Sequence, residues 1–189
     1  KEDIAEEVGR IVGYDKIPTV LPPKAGGAIE IPKSFYYEWK IREFLVNEGF
    51  SEVMTSSFSE QGSDMIEKPL ADDKKYARPS LRASFEKALK MNLLNAPFLG
   101  EEKTCIFEIG RIFTKDGERT AFAIGVAGPK KKISGFLESS LKKLSERLCI
   151  TLAGETKDGI FECTLDGIFA KLPEPKKWDI PIAPAKSEK

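Results

Sequence analysis

Apolar positions along the chain recur at two periods, and the switches between them mark out its elements. From Glu2 to about Gly13, the residues Ile4, Val8, Ile11 and Val12 fall at helical spacing, and Gly13 supplies a stop, which predicts a short amphipathic helix. Pro18, Pro22, Pro23, Gly26, Gly27 and Pro32 follow at a density that blocks helix and ladder hydrogen bonds, so this stretch reads as an extended linker and a domain boundary. Ser34 is placed to cap a helix over 35–47 that ends at Gly49. This helix carries two apolar stripes: Phe35, Trp39 and Val46 gather on one side, and Tyr37, Ile41, Phe44 and Leu45 on nearly the opposite one. A helix wet on neither broad face is sandwiched, with one side on a sheet and the other on a second helix or subunit.

Residues 50–58 alternate as a strand does and lead into a short helical turn through Met65 and Ile66, while 69–79 is polar and irregular. A helix over 83–95 presents Phe85, Ala88, Leu89, Met91 and Leu93 as one wide apolar face and stops before Pro97. Apolar runs at 104–113 and 119–127 flank Lys115-Asp116-Gly117, a strong hairpin signal, and their two apolar faces predict central strands. Ile133, Phe136, Leu137, Leu141, Leu144 and Leu148 predict one surface helix over 133–148, and 159–165 reads as a last strand. Pro175, Pro181 and Pro184 among lysines and glutamates predict an extended or disordered tail. The order of these elements argues for an α+β sandwich on an antiparallel sheet with helices on one side.

Composition changes this picture mainly by exclusion. The 189 residues contain no histidine, so histidine-based triads, HExxH zinc sites and imidazole bases are ruled out. Lys and Arg number 30 against 30 Asp and Glu, which leaves no global field to gather nucleic acid or an anionic membrane. Cys105, Cys149 and Cys163 form neither a disulfide framework nor a CxxC pair, which fits a reducing, cytoplasmic compartment. No stretch has the roughly 20 apolar residues of a membrane span. The chain opens in mid-helix, as expected of a segment cut from something longer whose packing partner lies upstream.

Candidate chemistry is sparse. Asp3, Glu6 and Glu7 share one helix face at the spacing for a hard divalent cation, although a solvated acidic first turn has the same spacing. Lys130, Lys131 and Lys132, with Lys142, Lys143 and Arg147 beyond them, read as a solvated face diluted by Glu138 and Glu146. Gly125-Val126-Ala127-Gly128 lacks a phosphate-cradling arrangement and belongs to a strand end. Arg82 and Arg111 are expected to hold carboxylates such as Glu108 in structural pairs. No paired acid and base is visible, so no catalytic residue is assigned.

Three segments, in order, resemble the β subunit of bacterial phenylalanyl-tRNA synthetase. Asp3 to Pro18 is similar to the DxxEEVxRIxGYDxIP segment that ends the family's B5 domain. Pro79-Ser80-Leu81-Arg82-Ala83-Ser84 is similar to its LRxSL helix start, with Phe85 replacing the usual leucine. Ile106 to Phe113 is similar to its LFEIGRVF strand, and beside these three the helix and strand through Glu48 to Val53 resemble its GFxEVxTYSF element. The resemblance covers about Asp3 to Gly128, and it marks Arg82, Glu108, Gly110 and Arg111 as structural motif positions.

The resemblance implies a class II aminoacyl-tRNA synthetase catalytic-like fold, an antiparallel sheet flanked by helices, in a subunit that does not itself aminoacylate. It divides the chain into a B5-like helix at 1–17, a linker at 18–32, a catalytic-like core at 33–175 and a tail at 176–189. It implies assembly with the catalytic α subunit into an α2β2 enzyme that handles tRNA, with ATP bound only in the holoenzyme and neither DNA nor membrane as partner. It also implies that Asp3, Glu6 and Glu7 share a magnesium ion with the α subunit. Phe35, Tyr37, Trp39, Ile41 and Phe44 are then the candidate subunit interface. The alternatives are a stand-alone class II-like ligase that activates an amino acid with ATP, and a tRNA-binding module that uses the lysines at 130–147.

Overall fold

The computed structural model describes residues 1–23, 30–69 and 71–176. The linker expected at 18–32 lies partly outside these residues, and the tail expected at 176–189 almost wholly so. The chain divides into two compact units, 1–30 and 31–189.

The first unit holds helix α1 (Glu2–Val12) and a 3₁₀ turn at Tyr14–Lys16. Gly13 ends α1 in a positive-φ conformation that a glycine adopts without a Cβ penalty. Among the described residues of α1 none is buried, and Ile4 and Ile11 stand 70% and 85% exposed, so its apolar stripe is unspent.

The second unit is built on a five-stranded sheet of order β1-β4-β5-β7-β6. Its strands are β1 (Ser51–Glu52), β4 (Thr104–Thr114), β5 (Gly117–Ala127), β6 (Glu155–Lys157) and β7 (Ile160–Thr164). All pairs are antiparallel except β1 with β4, which runs parallel from Ser51 opposite Ile106. A separate small ribbon pairs β2 (Phe58–Ser59) with β3 (Tyr76–Ala77). The expected hairpin turns at Lys115 and Asp116, with Thr114 opposite Gly117.

Because side chains alternate across a strand, β5 sends Phe122, Ile124 and Val126 to one face and Ala121 and Ala123 to the other. The large residues meet α2 (Lys33–Asn47), α5 (Phe136–Leu148) and α6 (Asp166–Lys171) through Ile41, Leu45, Leu137, Leu144 and Phe169. The small residues make room for α3 (Arg82–Asn95), which lays Phe85 and Leu89 on the second face. Gly125 completes this floor: a Cβ there would come within 2.8 Å of the Phe85 ring. Helices therefore cover both faces, which corrects the one-sided sandwich. The stripe of small residues on β5 is what admits the second layer.

Other local expectations shift for identifiable reasons. The predicted strand over 50–58 breaks into β1 at Ser51–Glu52 and the first residue of β2, Phe58, since Thr55 between them turns its amide and hydroxyl to the Glu108 carboxylate instead of a neighbouring strand. The helical turn expected at Met65 and Ile66 is extended: Met65 bridges to Tyr76, and the Ile66 amide bonds the Lys75 carbonyl at 2.8 Å. The helix expected over 133–148 breaks at Gly135, whose φ is 71°, into α4 (Lys130–Ile133) and α5. Ser34 does not cap α2, which starts at Lys33 with Pro32 in the cap position and no side-chain cap.

Candidate subunit-interface face and the buried polar network

Helix α2 separates its two apolar stripes. Tyr37, Ile41 and Leu45 are buried in the chain's own core, and Phe44 packs half-buried against the same cluster. The Tyr37 hydroxyl donates to the Pro173 carbonyl at 2.8 Å, and its ring stacks on Phe169 at 6.1 Å. Burial, with the Glu174 carboxylate nearby, pushes the Tyr37 phenol above its ordinary value. Of the five residues expected at a subunit interface, Tyr37, Ile41 and Phe44 are therefore used internally. At 0% exposure Ile41 has no surface to offer a partner.

The opposite stripe faces solvent, with Phe35 at 48%, Trp39 at 38% and Val46 at 58% exposure. The Phe35 and Trp39 rings lie 6.5 Å apart. Beside them a groove of about 390 Å³ runs between Trp39, Arg42, Glu43, Val46, Asn47 and Glu52. Arg42 stiffens this face by binding Glu52 at 2.8 Å and Glu38 at 3.3 Å, which ties α2 to β1. A large apolar anchor beside a groove with a charged rim is the usual make-up of a protein-binding surface.

On the α3 side of the sheet lies a buried polar network. Arg78 Nη1 donates to Glu108 Oε1 at 2.9 Å and to Thr55 Oγ1 at 2.9 Å, while Arg78 Nε donates to the Arg111 carbonyl at 2.8 Å. Glu108 also accepts from the Thr55 amide at 3.2 Å and from the Thr55 hydroxyl at 2.7 Å. Gly110 is required beside it, because a Cβ there would collide with Arg78 Nη2. The expected partners of Glu108, Arg82 and Arg111, are engaged elsewhere. Arg111 binds Thr120 Oγ1 at 2.7 Å and Glu118 at 3.3 Å. Arg82 reaches the carbonyls of Glu155 and Lys157 at 3.0 and 3.2 Å and lies 3.7 Å from Glu162. Arg78 is the residue that sequence reasoning left without a role, since its partner is 30 residues away on another element and no local pattern connects the two.

Glu162, on β7, closes the start of α3. Its carboxylate accepts from the Leu81 amide at 2.8 Å and from Ser80 Oγ at 2.9 Å, and Ser80 Oγ in turn accepts from the Arg82 amide at 3.0 Å. A carboxylate from the chain itself thus occupies the positive end of this helix. A cavity of about 490 Å³ borders the same helix end, lined by Thr55, Phe58, Ser80, Ser84, Lys74 and Lys87 among others. The carboxylates of Glu60 and Asp73 line it alongside these two lysines.

Asp3, Glu6 and Glu7 all stand exposed on α1, and Glu7 is paired with Arg10. Among the described residues no three Asp, Glu or Cys side chains come close enough to hold a metal, so these carboxylates do not form a site by themselves. The lysines at 130–147 are partly neutralised: Lys132 pairs with Glu102, Lys143 with Glu48 at 2.7 Å, and Lys142 with Glu146 at 4.0 Å.

Residues 17–160 match the family described as phenylalanyl tRNA synthetase beta chain CLM domain. The chain is similar to the phenylalanine–tRNA ligase beta subunit of Syntrophus aciditrophicus, 36% identical over 126 residues that cover 59% of this chain and 15% of that protein. It is 30% identical over 129 residues to the corresponding subunit of Aromatoleum aromaticum, covering 64% of this chain and 16% of that one. The chain thus spans about one sixth of the curated relatives it matches. In fold it is similar to Desulfitobacterium hafniense PylSc, a pyrrolysyl tRNA synthetase, with a TM-score of 0.51 at 21% identity over 72% of this chain and 54% of that one. It is likewise similar to S. aureus histidyl-tRNA synthetase, with a TM-score of 0.51 at 14% identity over 69% of this chain and 35% of that one.

Proposed function

This chain belongs to the phenylalanyl-tRNA synthetase beta-chain family through its CLM domain, and from that membership we propose that it is an assembly domain which holds a catalytic α subunit in an active α2β2 enzyme. The observation that carries the proposal is the division of α2. One stripe is sealed in the core by Tyr37, Ile41 and Leu45, while Trp39 and Val46 stand outside beside a groove. A rigid helix with one face sealed is pre-organised to present the other, which lowers the entropic cost of docking.

The arginines support an assembly role over stand-alone amino-acid activation. Phosphate clamping needs guanidinium groups aimed into an open site. Arg78, Arg82 and Arg111 instead bind the chain's own carbonyls and carboxylates. Lysines paired with neighbouring glutamates likewise favour assembly over a tRNA-binding module. On this reading ATP and tRNA belong to the cytoplasmic holoenzyme. Magnesium would reach Asp3, Glu6 and Glu7 only where donors from outside these residues complete its shell.

Light-scattering mass after mixing the chain with its cognate phenylalanyl-tRNA synthetase α subunit tests the proposal. A stable complex, with no pyrophosphate exchange by the chain alone, is expected. Pyrophosphate exchange without the α subunit overturns the proposal in favour of a ligase.

A further inference from the structure

We propose that the apolar knob at the end of α3 is a second anchor for the same α subunit, an inference that rests on the assembly reading above. After Asn95 the chain turns through a short 3₁₀ segment, Ala96–Leu99, and holds Leu94, Phe98 and Leu99 out at 72%, 88% and 81% exposure. These residues are not fraying. Ala96 is buried, the Gly100 amide bonds the Pro97 carbonyl at 3.1 Å, the Glu101 amide bonds the Ala96 carbonyl at 3.1 Å, and Gly100 closes the turn at φ 72°. The fold therefore presents an aromatic ring and two leucines to water from a hydrogen-bonded turn, an apolar exposure that a covering partner would relieve.

Area and continuity point to the occupant. A stable interface needs about 800 Å² from each partner. With a whole aromatic side chain worth roughly 200 Å², the exposed parts of Phe35, Trp39 and Val46 supply only on the order of 300 Å², too little alone. The knob adds on the order of 400 Å² more on the same scale. The two patches are joined. A cleft of about 480 Å³ runs from Glu52 and Val53 on the β1 edge to Asn92 and Leu99, and Glu52 also lines the groove under Trp39 and Val46. One partner that covers Trp39 and crosses the β1 edge reaches the knob, with Glu52, Glu101 and Lys103 forming a polar rim.

The test measures dissociation constants for the cognate α subunit by sedimentation or titration, using the unchanged chain, Phe98→Ser with Leu99→Ser, and Trp39→Ala with Val46→Ala. The knob variant is expected to keep the unfolding midpoint, since its side chains lie in water, and to lose at least tenfold in affinity. If the knob variant binds like the unchanged chain while the Trp39 variant is weakened, the second anchor is overturned and the assembly reading stands. If the unchanged chain does not bind, the assembly reading falls and takes this inference with it. A chain that is dimeric alone and becomes monomeric through Phe98→Ser with Leu99→Ser, with α-subunit binding retained, assigns the knob to a second copy and overturns the inference.

Discussion

Arg78 and Glu108 meet at 2.9 Å with side chains only 4% and 2% exposed, joining the end of β3 to the middle of β4. Water cannot replace either partner there. Removing one charge leaves the other desolvated and uncompensated, whereas the intact pair gains little over an apolar pair of the same shape. Arg78→Ala or Glu108→Ala is expected to lower unfolding free energy by about 3–5 kcal/mol. Urea denaturation checks this, and the double variant should cost clearly less than the sum of the singles.

How much of this network the sequence discloses is instructive. Glu108, Gly110 and Arg111 stand out within one strand, and the alternation around them predicts that strand. Arg78 lies in a stretch with no period, and its pairing depends on the β2–β3 ribbon, two residues per strand, which leaves almost no pattern to read. The same physics explains α2. Its two stripes are visible at helical spacing, but which one the sheet takes is decided by Phe107 and Phe169 arriving from distant positions. The small-residue face of β5 was readable as apolar, yet its meaning as a seat for α3 follows only once Gly125 is seen against Phe85.

Glu162 satisfies two donors at the start of α3, the Leu81 amide and Ser80 Oγ, with its side chain 14% exposed. Charge-assisted hydrogen bonds of this kind contribute about 1.5–3 kcal/mol each. Glu162→Ala, which removes both, should therefore destabilise the chain by about 3–6 kcal/mol. Hydrogen exchange should speed up first in the opening turn of α3, as a local cap loss predicts.

Cys163, buried on β7, has its thiol pushed up to about 12 by burial, with the adjacent Glu162 carboxylate adding to the effect. The unfolded thiol titrates near 9.0, so the folded state holds its proton more tightly. This contribution is fully present below pH 9 and is lost as pH rises from 9 towards 12, at about 1.4 kcal/mol per pH unit. Comparing unfolding curves of the unchanged chain and Cys163→Ala isolates the effect, because other groups titrate equally in both. The difference between the two curves should shrink as pH climbs above 9. In native buffer, exposed Cys149 should alkylate first, half-buried Cys105 more slowly, and Cys163 only on unfolding.

The two stripes of α2 make opposite predictions for substitutions only two residues apart, on opposite sides of the helix. Ile41 is fully buried against the sheet, so Ile41→Ala leaves a cavity and should cost about 2–5 kcal/mol of stability. Its effect on assembly should disappear when the fraction folded is taken into account. Trp39 carries 38% of its surface to solvent over a groove, and Trp39→Ala should cost far less stability. If this side chain is a hot spot, the α-subunit complex should weaken by about 2 kcal/mol or more. Calorimetric unfolding and binding titration on both variants separate the two roles. A Trp39→Ala chain as unstable as Ile41→Ala, or one that binds as tightly as the unchanged chain, would remove Trp39 from the interface and leave the exposed stripe without the function assigned to it.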